Sequence, residues 1–349
     1  MQIFNRVSGL VLAVALAAAA SASTAGTVKY KSAGEALNQG VSAYNGGYYE
    51  IALPALDYAA NEGEFLAQYY LARMYADNSW SNTNHAKAYE LYQHIADENT
   101  DVDPDDDARA PFVGKALTAL AGYVRTGLPE NGLKPDIDRA VEYLRHAATF
   151  FRDEDAQFEL SKLQLKGEGM DPDVPSALNW LATLSKKGHA GAQAFLADLY
   201  WRGKFVEQDK VKAFALIRVA VANAPQTERL WIEDIYQNIF CGAGEGIRKQ
   251  ADGLVGSYFD RYGRKPAANE RSPGLGPLNA EPVRTCENGE AVPAPIAPSD
   301  HTGVTPDAAK KSQASEAPQP RDGAGFARGG TMGGSLRDIG ATFVPNQER

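Results

Sequence analysis

Cysteine is nearly absent from this 349-residue chain, which has two, Cys241 and Cys286, and histidine is scarce, with five. Two thiolates with no neighbouring histidine fall short of the four ligands that structural zinc requires. His85, His94, His146, His189 and His301 show neither H-x-x-x-H nor H-E-x-x-H spacing, so a metalloenzyme site is excluded too. Basic charge is also short: 35 Lys and Arg stand against 44 Asp and Glu, a net charge of −9. Such a chain is a poor partner for nucleic acid or an anionic membrane surface. After the first 25 residues no apolar run is long enough to span a bilayer, and the alternation of a half-buried β-strand is missing. No G-x-S-x-G elbow, paired catalytic carboxylates or Cys/His nucleophile signature is present, which leaves an enzyme reading no residue to rest on and no cofactor to expect.

The N-terminus has what the rest lacks. Residues 1–25 read as a secretory signal, with Arg6 in the n-region, an apolar stretch from Leu10 to Ala20, and small residues after it. Ala20-Ser21-Ala22 fits the A-x-A cleavage pattern, with a cut after Ala25 as the alternative. The apolar run is too short for a membrane anchor, so an exported mature protein is expected. In an oxidising compartment Cys241 and Cys286 are expected to form a disulfide that closes a loop of 45 residues.

What fills the chain is a repeat. Segments opening at Ala52, Ala88, Ala140, Ala177 and Ala213 share a small residue followed by apolar positions three to four apart, and one of the four spacings, 36, 52, 37 and 36, carries an insert. A second motif interleaves with the first: Ala67-Gln68-x-x-Leu71-Ala72, Ala156-Gln157-x-x-Leu160 and Ala192-Gln193-x-x-Leu196-Ala197, with a weaker copy at Ala116 to Tyr123. Two helices per unit account for both patterns. Short side chains let antiparallel helices approach closely, and stacked hairpins then bury apolar faces that one hairpin could not bury alone. The fold class is therefore all-α, an α-solenoid over residues 32–225, and scaffolds of this kind serve binding more than chemistry. Capping helices are expected over 226–264, including one from Glu228 to Phe240. A disordered tail rich in Pro, Gly and Ser is expected over 265–349, with Phe326 to Val344 as its one candidate interaction motif.

Three local features are candidate ligand sites that read better as structure. Asp101-x-Asp103-x-Asp105 opens like a calcium loop, but the positions that need glycine and glutamate hold Asp106 and Phe112, so an acidic insert between helices is the better reading. His189, in Lys187-Gly188-His189-Ala190, reads as a turn or capping residue. Gly242-x-Gly244-x-Gly246 follows a helix and lacks the G-K-[ST] ending of a phosphate loop, so a flexible turn is expected.

The copy from Ala177 to Gly203, ALNWLATLSKKGHAGAQAFLADLYWRG, resembles the Sel1-like repeat, a relative of the tetratricopeptide repeat, and so does the copy from Ala52 to Tyr75. The opening Gly40-Val41-Ser42-Ala43-Tyr44-x-x-Gly47, the segment Tyr58-Ala59-Ala60-x-Glu62-Gly63, Met74-Tyr75-Ala76-Asp77 and the spacer before Phe112 resemble the ExoR family of exopolysaccharide production negative regulators. That resemblance implies a periplasmic repressor that binds the periplasmic domain of a sensor histidine kinase. A generic scaffold assembling cell-envelope proteins is the alternative.

With Leu71, Leu120, Leu160 and Leu196 in the core, the residues one before and two after each leucine share a helix face. The row comprises Tyr70 and Arg73, Ala119 and Gly122, Glu159 and Lys162, and Phe195 and Asp198. In tetratricopeptide-like solenoids the first helix of each repeat lines the concave groove, so by analogy this row is expected to bind the partner. Tyr70 and Arg73 are the anchor types, and replacing both with alanine is expected to leave melting nearly unchanged.

Overall fold

The computed structural model describes residues 30–263 and 284–293. The expected export signal, most of the expected tail and its Phe326 to Val344 segment lie outside them. Among the described residues twelve α-helices follow one another: α1 Ala33–Asn45, α2 Tyr49–Asn61, α3 Phe65–Ala76, α4 His85–Glu98, α5 Ala110–Thr126, α6 Ile137–Thr149, α7 Glu154–Lys166, α8 Val174–Lys187, α9 Ala190–Arg202, α10 Lys210–Asn223, α11 Arg229–Gly242 and α12 Glu245–Tyr262. From α1 to α11 each packs on its neighbour in the chain, α12 packs on α10 and α8, and within the odd-numbered row α1 touches α3, α5 touches α7 and α9 touches α11.

The helix ends are written in the sequence. Asn84, Asp136, Asp153, Asp173 and Asp209 each accept the backbone N–H three residues on, filling a donor that the first turn leaves orphaned. At the other end Gly167, Gly188 and Gly203 take left-handed φ of 65°, 89° and 66°, where a Cβ would be strained.

The repeat alanines sit where helices meet. Ala52, Ala88, Ala140, Ala177 and Ala213, and their interleaved partners Ala67, Ala116, Ala156 and Ala192, are all fully buried. Around them the apolar side chains form three successive clusters, and Tyr70, Tyr75 and Leu91 pack against both the first and the second. The glutamines of the motif have a task that periodicity does not reveal. Gln157 Nε2 donates to Ala148 O at 3.0 Å and Gln193 Nε2 to Ser185 O at 2.9 Å, each meeting a carbonyl at the end of the preceding helix. Gln193 also donates to Tyr262 O at 2.7 Å, and Asn223 Nδ2 donates to both that carbonyl and Gln193 Oε1, which ties the end of α12 to α9 and α10.

Past α10 the glycine run departs from the expected flexible turn. Helix α11 continues through Gly242, only Ala243 and Gly244 interrupt it, and Gly246, Gly253 and Gly256 lie inside the 18-residue α12. Glycine serves at 242 because a Cβ there would come within 2.6 Å of the Trp201 ring. Residues 284–293, inside the stretch read as tail, lie against α11 and α12. Cys286 is bonded to Cys241, with Cα atoms 5.5 Å apart; Arg284 pairs with Asp234 at 2.6 Å and Arg248 pairs with Glu290. The acidic insert spends its carboxylates on arginines: Asp105 on Arg152 at 2.7 Å and Asp107 on Arg109 at 2.7 Å.

Candidate partner-binding face

The odd-numbered helices carry the row drawn from the leucines. Arg73 and Gly122 are exposed, whereas Tyr70, Ala119, Glu159, Lys162, Phe195 and Asp198 are half-buried. The half-burial comes from packing along the row. Arg125 reaches from α5 to Glu159 on α7 at 3.4 Å, and Glu159 also takes Lys162 at 2.6 Å. Lys162 lies 4.5 Å over the Phe158 ring, and Phe158 packs on Phe195 of α9 and stacks on Trp231 of α11. Asp198 pairs with Arg202 at 2.8 Å. Neighbouring helices of the row are thus stitched by rings and ion pairs, and most of its charges are engaged.

Arg73 is the exception. Its guanidinium lies 5.4 Å from the Tyr44 ring centre and 6.0 Å from that of Tyr69. Tyr70 packs edge-on to both tyrosines, Tyr69 packs on Tyr92 and on Phe112 of α5, and Tyr44 stacks on Tyr49. Burial pushes the phenols of Tyr44, Tyr69 and Tyr92 up, that of Tyr69 to about 12, so these three stay neutral at physiological pH. Of this aromatic group the sequence reading found only Tyr70 and Arg73. Tyr44 and Tyr92 come from α1 and α4, and no period within one helix relates them to α3.

At the N-terminal ends of α5, α7, α9 and α11 a cavity of about 520 Å³ is lined by Lys115, Asp153, Asp155, Lys187, His189 and Glu228, among others. His189 caps α9: its Nδ1 accepts from Ala192 N–H at 3.1 Å, which leaves Nε2 to donate to Asp155 at 3.2 Å. Burial pulls the imidazolium pKa down, but that hydrogen bond and the charges of Asp155, Glu228 and Glu154 outweigh it and hold it above the ordinary value. The same bond, with Lys115 at 3.6 Å, holds Asp155 below the carboxylate range. Asp153, two residues away and almost wholly buried, is pushed up by burial despite Lys115 at 3.7 Å and a hydrogen bond from Thr118 at 2.8 Å. Sequence reading missed this cluster because its members come from four helices, although it placed His189 as a cap.

Among the described residues no helix is long and apolar enough to cross a membrane, and no group of His, Cys, Asp and Glu could hold a metal ion. The Sel1 repeat model matches residues 66–99, 114–149, 154–189 and 190–223. The four matches frame α3 with α4, α5 with α6, α7 with α8, and α9 with α10. The molecule is a Sel1-repeat α-solenoid, a class whose repeats bind other proteins.

Over 249 residues the chain is 32% identical to the exopolysaccharide production negative regulator of Rhizobium meliloti (strain 1021), covering 70% of this chain and 90% of that one. The regulator of the same name from Rhizobium leguminosarum bv. viciae is 30% identical over 215 residues, 62% of this chain and 78% of its own. The chain belongs to the family of exopolysaccharide production negative regulators. Among solved structures, a protective antigen of uropathogenic Escherichia coli displaying an SLR fold aligns with a TM-score of 0.49 at 24% identity, over 69% of this chain and 50% of that one.

Proposed function

We propose that the protein is an exported, periplasmic repressor that binds the periplasmic domain of a membrane sensor histidine kinase and so restrains exopolysaccharide synthesis. It acts by binding alone, without catalysis or a cofactor, and the row on the odd-numbered helices, Tyr70, Arg73, Glu159, Lys162, Phe195 and Asp198, is the surface it uses. The observation that carries this reading is the 32% identity to a negative regulator over nine-tenths of that protein's length. The stitched rings and ion pairs support it, because a face already ordered loses little side-chain entropy when a partner lands.

The test is affinity capture of the mature protein with its cross-linked partners from solubilised membranes. Recovery of a histidine kinase, with exopolysaccharide rising when the gene is deleted, is the expected result. Recovery of envelope synthases or hydrolases in its place, with exopolysaccharide unchanged, would overturn the repressor reading in favour of an envelope scaffold.

A further inference from the structure

Arg73 differs from the arginines beside it. On later helices Arg125 is bonded to Glu159, Arg139 to the Tyr143 hydroxyl at 2.8 Å, and Arg202 to Asp198. Arg73 has its two flanking rings but, among the described residues, no carboxylate in ion-pair contact and no hydrogen bond from its side chain. The acid nearest in sequence, Asp77, feels the Arg73 charge but spends its hydrogen bonds elsewhere. It accepts from the Tyr49 hydroxyl at 2.6 Å and from the Ser79 N–H and hydroxyl at 2.9 and 2.7 Å. The hydroxyls of Tyr44, Tyr69, Tyr70 and Tyr92 also make no hydrogen bond among the described residues, and none is sealed from solvent. All four interact electrostatically with the Arg73 charge.

This is one fixed cation with a planar fork of five donors, ringed by tyrosine hydroxyls that can donate as well. A guanidinium held against aromatic faces keeps its edge free for two parallel N–H···O bonds, the geometry that a carboxylate accepts. Rings on either side limit its rotamers, so less freedom is lost when an anion arrives. A single positive charge balances a monoanion and leaves a phosphate dianion undercompensated. The net charge of −9 on the chain repels any extended polyanion, including an acidic polysaccharide strand. The turn of chain that carries Tyr49 also exposes Tyr48 and Ile51, at 65% and 51%, which suits apolar neighbours around the acid.

We propose that Arg73, between Tyr44 and Tyr69 and ringed by Tyr70 and Tyr92, is a receptor for one aspartate or glutamate side chain of a protein partner, set among apolar residues. The proposal rests on the reading that the odd-numbered helices bind a protein, and it names the chemistry that this end of the face recognises.

The test uses the mature full-length protein labelled with nitrogen-15 on arginine side chains, with the Arg73 Nε–H signal assigned by its loss in Arg73→Gln. The probes are a capped hexapeptide Ala-Leu-Phe-Glu-Leu-Ala, its twin with Gln in place of Glu, and glucuronate. The Glu peptide should shift the Arg73 signal saturably and bind about tenfold or more tightly than the Gln twin, the scale of one charge-assisted hydrogen-bonded pair. The discrimination should vanish in Arg73→Gln, fall in Arg73→Lys, which keeps the charge and loses the fork, and weaken in Tyr44→Phe, which keeps the ring. Equal affinity for the two peptides, an unmoved Arg73 signal, or glucuronate binding as tightly as the Glu peptide would each overturn the proposal. The kinase capture described above reads separately. Peptide discrimination without a captured kinase supports the receptor and removes the kinase, and a kinase captured equally by wild type and Arg73→Gln, with no peptide discrimination, overturns the receptor alone.

Discussion

His189 Nε2 donates to the Asp155 carboxylate at 3.2 Å, from the cap of one helix to the first turn of another in the same row. The bond joins consecutive repeats through their helix starts, where the positive ends of helix dipoles favour a carboxylate. Asp153 lies two residues from Asp155 and shares its lysine, yet the two carboxyls move in opposite directions: burial raises Asp153, whereas the His189 hydrogen bond lowers Asp155 against its own burial.

The pair therefore predicts opposite pH slopes. Asp155 is lowered in the folded state, so its stabilisation is complete above the ordinary carboxylate range and is lost as pH falls through the lowered value. Asp155→Asn should destabilise at pH 7, with the deficit closing toward pH 3. Asp153 is raised, so the folded state bears a penalty at neutral pH that disappears as pH falls below the unfolded value. Asp153→Asn keeps an oxygen to cap Ala156 N–H and should match or exceed wild type at pH 7, losing that advantage in acid. Urea midpoints across this range check both signs, and parallel slopes would refute the assignment.

The motif glutamine is a structural anchor. Gln193→Ala removes the side-chain hydrogen bonds to the carbonyls of Ser185 and Tyr262 and should cost about 1–3 kcal/mol in urea denaturation. Gln68 holds the same motif position but its side chain bonds nothing among the described residues, so Gln68→Ala should cost much less. Equal costs would show that the bonds contribute nothing.

Two helical glycines should respond oppositely to alanine. At Gly40 a Cβ would lie 2.7 Å from the Leu56 side chain and 3.1 Å from its backbone nitrogen, so overpacking of about 1–3 kcal/mol should exceed the gain in helix propensity. At Gly253 in α12 a Cβ meets nothing within 4 Å, and Gly253→Ala should stabilise by up to about 1 kcal/mol. Thermal melts decide, and a stabilised Gly40→Ala would mean that α1 and α2 do not approach as closely as described.

Peptide mass spectrometry without reduction should find Cys241 linked to Cys286 in protein taken from its natural compartment. Cys286→Ser should lower stability by about 2–4 kcal/mol. Two free thiols in that protein would remove the link.

Tyr70 and Arg73 should separate. Tyr70 bridges two core clusters, so Tyr70→Ala should lower the melting temperature, contrary to the expectation that the double replacement is silent. Arg73→Ala removes only exposed charge and ring contacts, about 0.5–1 kcal/mol, and is the cleaner probe of binding. Calorimetry of the single variants tests this; a Tyr70→Ala protein that melts with wild type would return the ring to the free surface.

Most of the helical order was legible because alanine spacing, acidic caps and terminal glycines are local signals. Ala177 predicts a close approach wherever its helix lands, and Gly188 ends that helix whatever follows. The joints between helices were not legible. Arg73 meets Tyr44 from two helices earlier, and Asp155 meets His189 from two helices later, and such pairings depend on the rotation of each helix about its axis. The glycine run misled because its first member, Gly242, ends α11 and relieves a clash with Trp201, a residue some 40 positions upstream.

The two ends of the described repeat stack are fastened unequally. The late end has a disulfide, the Arg284 and Arg248 ion pairs, and the Tyr262 carbonyl held by Gln193 and Asn223. The early end has the aromatic corner around Tyr44 and the Tyr30–Tyr58 ring contact, and among the described residues α1 to α3 make no disulfide or ion pair. Because stability in such stacks passes from neighbour to neighbour, opening should start at α1 and travel toward α12. Amide hydrogens of α1 to α3 would then exchange before those of α9 to α12. The corner that holds Arg73 would be the first to dissolve under stress, so any partner gripping it would also act as a splint for the whole stack.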